Sequence, residues 1–197
     1  SPHIEQCRKL LVGRTEPLAI NILINAGEIP PKHWVHDEVV GGGRIIGEAC
    51  HFIDLAVSLT ASKVRAVAAL QMGGQVPIAG DKMSISLSME DGSLVSVCYF
   101  ANGSKSFPKE TIHIFSDNRV LQVDNFRITT GFGFQGFRKL KTLRQEKGHR
   151  QQFESIEKRW TVGGAWLIPF DELCNVTKAS IAAVQSARED RTIVLEA

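Results

Sequence analysis

The hydrophobic pattern opens on a helix. Ser1-Pro2 is a helix-opening pair, and Ile4, Cys7, Leu10 and Leu11 follow at helical spacing until Gly13. Residues 16–25 alternate as a strand. From Ala26 to Gly43 a proline pair and a glycine triplet predict a loop. Connections of that length are uncommon without a functional reason. Residues 44–60 form an amphipathic helix, with Ile45, Ala49, Phe52, Ile53 and Ala56 on its apolar face. Arg44, Glu48, His51 and Ser58 lie opposite, with Gly47 and Asp54 near the edge. Strands follow at 63–71, 82–90, 93–101, 110–116, 119–124 and 126–132. Asp91-Gly92 and Ser116-Asp117-Asn118 supply turns between them. Helices at 149–160 and 169–188 and a short strand at 192–195 complete the chain.

This order predicts an α+β fold whose sheet is largely antiparallel and carries helices on one face. Composition changes little. The 197 residues are 43% hydrophobic and 22% charged, an ordinary globular balance. A net charge of +2 is too small to imply a nucleic-acid or membrane partner. No apolar run is long enough to span a bilayer. Cys7, Cys50, Cys98 and Cys174 form no CxxC pair, which predicts reduced thiols and a cytoplasmic location. No strand–glycine loop–helix unit is present to bind a dinucleotide. Ser1 leads straight into a helix without a methionine, so a preceding domain is expected.

Polar chemistry concentrates between Asn25 and Asp54. Asn25, His33, Trp34, His36, Asp37, Arg44, Glu48, His51 and Asp54 all fall there, including three of the six histidines. Glu48 and His51 stand three apart, where helical side chains are neighbours. A carboxylate beside an imidazole raises its pKa and fixes its orientation, which suits a general acid/base or a hydroxyl clamp. The same spacing also describes a solvated helix face. His33, His36, Glu48 and His51 could alternatively ligate zinc, although their spacing matches no common zinc pattern. Residues 131–136, GFGFQG, match a dinucleotide fingerprint formally, but no helix start follows and two phenylalanines intervene, which predicts a packed edge or an interface. The basic run Arg138, Lys139, Lys141, Arg144, Lys147 and Arg150 lacks interleaved aromatics and reads as a solvated linker or hairpin rather than a nucleic-acid surface.

The segment Gly41-Gly42-Gly43-Arg44-Ile45-Ile46-Gly47-Glu48-Ala49-Cys50-His51-Phe52-Ile53-Asp54 resembles the glycine–histidine signature of the glucose–fructose oxidoreductase/inositol dehydrogenase (Gfo/Idh/MocA) family. Trp34 and Asp37 resemble its W-x-x-D approach. Phe170-Asp171-Glu172-Leu173 and Ser186-Ala187-Arg188 resemble its ending. The resemblance implies that 1–197 is a C-terminal substrate and oligomerisation domain, partnered by an N-terminal Rossmann domain. That other half would carry the glycine-rich NAD or NADP loop and the catalytic lysine. It also implies an open sheet face that builds homodimers or tetramers. The substrate would be a sugar, inositol or nucleotide-sugar. By position, His51 matches the family's active-site histidine. The family's helix acid falls on Gly47, a departure, with Glu48 adjacent. Gly41, Gly42 and Gly43 would approach the cofactor or substrate. Asn25, His33, Trp34, His36, Arg44 and Asp54 are expected as substrate contacts. A non-catalytic assembly module is the alternative, favoured by the Gly47 departure.

Overall fold

A computed structural model describes residues 1–37, 39–73 and 80–196. Helix α1 (Pro2–Leu10) leads into strand β1 (Ala19–Asn25). A single 3-10 turn (Trp34–His36) lies within the following loop. A π-helical turn (Ile45–Ala49) then runs directly into α2 (Cys50–Thr60). The meander comprises β2 (Val64–Gln71), β3 (Lys82–Met89), β4 (Leu94–Phe100), β5 (Glu110–Ser116), β6 (Arg119–Asp124), β7 (Ile128–Phe132) and β8 (Lys139–Lys141). Helices α3 (His149–Val162) and α4 (Phe170–Glu189) and the short β9 (Ile193–Val194) follow.

The nine strands form one sheet in the order β8-β7-β6-β5-β1-β4-β3-β2-β9. Only the β1–β4 pairing is parallel, so the predicted largely antiparallel α+β architecture is observed. Strict alternation sets the two faces. Ile20, Ile22 and Ile24 of β1, Val95 and Val97 of β4, and Ile112 and Ile114 of β5 all point to one side and are buried. There they meet Ile4 and Cys7 of α1, Ile53, Ala56 and Val57 of α2, and Val176, Ala179 and Ala183 of α4. Small residues at the inner face of α4 let it lie close to β2. Among the described residues no helix covers the other face. Hydrogen-bonded registers align Ala68, Ser86, Ser96, Asn21, His113, Gln122 and Thr130 in one row across seven strands of that open face.

Turn chemistry explains the tight connections. Asp117 and Asn118 both take left-handed angles, φ 49° and 58°, as a type I′ hairpin requires. Asp91-Gly92 closes β3–β4 as expected, with Gly92 at φ 86°. β8 makes part of the 138–150 run the expected hairpin, three of its residues pairing antiparallel with β7, while His149 and Arg150 open α3. Ser1 precedes α1 in the capping position, but its hydroxyl donates to the Glu146 carbonyl at 2.7 Å rather than capping the helix.

Buried polar groups tie distant elements together. His3 is fully buried and bonds Thr129 on β7 and Thr142 through its two ring nitrogens, at 2.8 and 3.1 Å. Burial pushes its pKa below the ordinary imidazole value, so the ring is neutral. Glu110, at the start of β5, takes an ion pair from Lys147 and a bond from Gln145, fixing the segment that leads into α3.

A candidate active site at the sheet end

The carboxyl ends of the parallel pair β1 and β4 meet the start of the π-turn. Arg44, expected on a polar face, is instead buried, with 3% of its surface exposed. Its Nε and Nη2 form a bidentate pair with the two oxygens of Glu48, at 2.8 and 3.1 Å. Its Nη1 donates to the Gly27 carbonyl at 2.7 Å and approaches Asp81 at 3.4 Å. The guanidinium also lies over the Tyr99 ring, 5.3 Å from its centre. Tyr99 donates its hydroxyl to Glu48 at 2.7 Å, and Lys82 neutralises Asp81 at 2.6 Å. Each of the three guanidinium nitrogens has a partner, as a buried guanidinium requires.

This network redefines Glu48. Burial alone would raise its pKa, but the bonds from Arg44 and Tyr99 and the charge of Arg44 outweigh it and hold the carboxyl below its ordinary value. Lys109, ahead of β5, adds to the same effect. Burial and the bond to Glu48 push Tyr99 well above the usual phenol range, so it remains a neutral donor. Glu48 is therefore a fixed anion. No hydrogen bond joins it to His51, and the expected Glu48–His51 pair is not formed. Arg44, four residues earlier and buried, is the stronger partner.

His51 stands exposed in the first turn of α2. Its electrostatic neighbour is Asp54, three residues on. Asp54 leans toward α4: burial raises its pKa, and its charge in turn helps raise that of Glu172. Gly47 has no atom within 4 Å of where a Cβ would stand.

The loop before the π-turn is shaped by its own bonds. Asp37 accepts from the amides of Val39 and Val40 through its side chain, and from those of Gly41 and Gly42 through its carbonyl. Gly41 is pressed against Trp34 and Val35, where a Cβ would come within 2.5 Å of the Trp34 carbonyl oxygen. That close packing accounts for a glycine at 41, whatever Gly41, Gly42 and Gly43 do toward a ligand. His33 accepts from the Val35 amide, His36 bonds the Ile29 carbonyl at 3.4 Å, and Trp34 projects into solvent. Asn25 is occupied by the neighbouring loop, donating to the carbonyls of Ser104 and Phe107 at 2.7 and 3.3 Å. Its amide latches that loop. The zinc reading is corrected: among the described residues no three His, Cys, Asp or Glu side chains stand where they could hold a metal ion.

Sequence reasoning missed Tyr99, Asp81 and Lys109. Tyr99 is the chain's single tyrosine and falls at an inward position of a strand, the one signal that its hydroxyl needed a buried partner. GFGFQG joins β7 to β8 instead of opening a helix, so it is no dinucleotide loop. No helix among the described residues is long and apolar enough to cross a membrane.

No family model matches the chain, and no curated protein matches it. Solved structures do. An oxidoreductase domain protein from Kribbella flavida matches the whole chain at 17% identity and a TM-score of 0.81, over 63% of its own length. A levoglucosan dehydrogenase in complex with NADH matches 98% of the chain at 18% identity and a TM-score of 0.76, over 62% of its own length. The chain has their fold. The transcriptional regulator Gal80p from Kluyveromyces lactis shares it too, at 17% identity and a TM-score of 0.75, with 98% of this chain and 60% of Gal80p covered. The chain thus spans about three-fifths of the length of the structures it matches. The fold expected from the resemblance at 41–54 is the fold observed.

Proposed function

We propose that this chain is the substrate-side and assembly domain of an NAD(P)-dependent oxidoreductase acting on a CH–OH group of a sugar, inositol or nucleotide-sugar. The observation that carries the reading is an exposed His51 beside the anchored Arg44–Glu48–Tyr99 network, in a fold shared with an NADH-bound levoglucosan dehydrogenase. A separate Rossmann domain would hold the nicotinamide, which supplies the hydride acceptor. On this chain, His51 would take or clamp the substrate hydroxyl proton. Its exposure leaves both ring nitrogens open to a ligand. Glu48 would act as a fixed negative charge near the site, since its oxygens are already bound. Trp34, His33, His36 and Asp54 would shape the substrate space, with Asn25 holding the 101–109 loop beside it.

In the full-length protein, His51→Ala should lower kcat/KM more than tenfold, because general acid–base groups contribute about 10²- to 10⁴-fold. Near-normal turnover would remove His51 from the chemistry. Tight NAD(P)H binding by residues 1–197 alone, followed by fluorescence titration, would contradict the division between two domains. A second reading is a non-catalytic module of the same fold. Gly47 in place of the family's acid favours it, as does the likeness to Gal80p. It is distinguished by a ligand that binds without any turnover in the full-length protein.

A further inference from the structure

One residue fixes the loop between β4 and β5, residues 101–109, to the end of β1. Asn25 donates its side-chain amide to the carbonyls of Ser104 and Phe107, and its backbone amide to the Lys109 carbonyl at 2.8 Å. The latch is not free of strain. Asn25 Oδ1 is buried, and nothing among the described residues donates to it. An unmatched buried acceptor is destabilising, so the loop is held in place despite a local penalty. A Cβ at Gly103 would collide with the same oxygen, so this closure requires glycine there. What the latch positions is cationic. The loop carries Lys105 and Lys109 and no acid. Lys109 is exposed, at the last position before β5. It lies near enough to Glu48 to help hold that carboxyl ionised. Among the described residues no hydrogen bond or ion pair reaches its ammonium. Glu48 does not require it, because Arg44 binds both carboxylate oxygens and Tyr99 binds one of them. Asp81, the other acid of the network, is matched by Lys82 and Arg44. Lys109 is thus a cation beside a network whose own anions are already engaged.

We infer that the substrate is an anionic sugar and that Lys109 binds its carboxylate or phosphate group. This rests on the oxidoreductase reading above and narrows its substrate class. An ammonium takes either group as a point charge. The fixed charge of Glu48 repels an anion from the buried side of the site. The anionic end of the substrate therefore stays outward on Lys109, and the neutral carbinol end is left for His51. The Asn25 latch gives this selection its geometry, since it holds the loop that bears the ammonium against the same strand end from which Gly27 meets Arg44.

The test is steady-state oxidation by the full-length protein, with NAD⁺ and with NADP⁺, at low ionic strength. Neutral sugars and inositol are compared with uronates and with sugar phosphates, nucleotide-sugars included. The best anionic substrate should exceed every neutral one in kcat/KM, and added salt should raise its KM. Whether that substrate is a uronate or a phosphate identifies the group bound. Lys109→Met should lower the anionic-to-neutral ratio of kcat/KM about ten- to hundredfold, mainly through KM, because a charge-assisted hydrogen bond is lost. Lys109→Arg should recover most of it. A purely structural lysine would move Tm instead and leave that ratio where it was. Equal or better turnover of neutral sugars, or a ratio unmoved by Lys109→Met, overturns the inference and leaves the oxidoreductase reading standing. Nicotinamide binding with no anionic sugar oxidised does the same. A protein that neither binds a nicotinamide nor oxidises any of these compounds overturns that reading, and this inference with it.

Discussion

Arg44 shows how one side chain can organise a site without being positioned to react. It joins the loop after β1 through Gly27, the segment before β3 through Asp81, and the π-turn through Glu48. Replacing it with methionine would leave a carboxylate and much of this network without a countercharge. Breaking a buried pair on one side costs about 3–5 kcal/mol. Arg44→Met should therefore lower the urea midpoint substantially, and Arg44→Lys should recover only part, because lysine lacks the bidentate fork. Equal midpoints for all three proteins would show that the network is not structural. Asp54 provides a contrasting case at the same scale. Burial raises its pKa above the ordinary 3.8, so the folded state binds its proton more tightly than the unfolded chain. The stability this contributes is complete below pH 3.8 and is lost as pH rises through the folded value. Glu172, also raised by burial first and by Asp54 next, acts in the same direction. Asp54→Asn fixes the neutral form. It should raise Tm near neutral pH, and that gain should shrink as the pH is lowered toward 4, measured by thermal melts across the range.

At the level of elements, the glycine triplet separates packing from ligand approach. Gly41→Ala would force a methyl group into the Trp34 and Val35 backbone, at 2.5–2.8 Å. Overpacking of this kind costs about 1–3 kcal/mol. Gly47→Ala meets nothing within 4 Å and should be neutral, or stabilising by up to about 1 kcal/mol. Thermal denaturation of the two variants side by side checks the difference. Much of the element order was legible because the periods are clean. The strands at 110–116 and 119–124 are found where alternation and a turn pair place them, and the buried face of α2 is the predicted Ala49–Ile53–Ala56 face. Other features were hidden for physical reasons. A three-residue strand such as β8 has no period to read. Asn125 and Phe126 take φ 52° and 49°, in a turn that Asn125 suits but Phe126 does not announce. The π-turn keeps an apolar pattern indistinguishable from an α-helix over five residues. Buried partners of Arg44 lie 37 and 55 positions away, at Asp81 and Tyr99, and only the folded chain brings them together. His51 was legible as a candidate; its lack of a carboxylate partner at Glu48 was not.

At the scale of the whole molecule, the open sheet face sets the strongest expectation about assembly. Its central row, from Ala68 through Ser86, Ser96, Asn21, His113 and Gln122 to Thr130, consists mainly of small or uncharged side chains. A neighbouring row aligns Leu94, Ala19, Phe115, Val120 and Phe132, and three of these are large apolar groups more than 40% exposed. A broad face with a largely uncharged centre and an apolar flank suits stacking against a second sheet. In a two-fold dimer each surface residue is presented twice, so one added charge near the axis is met by its own copy. Ser96→Arg with Phe115→Arg places charge in both rows while leaving the buried face untouched. Sedimentation should show the unmodified chain as a dimer or larger and the double variant as a monomer, with circular dichroism and Tm of the monomeric unit preserved. A chain that sediments as a monomer before any substitution, across the accessible concentration range, would remove assembly from this face and leave its exposed Leu94, Phe115 and Phe132 to be explained by another partner.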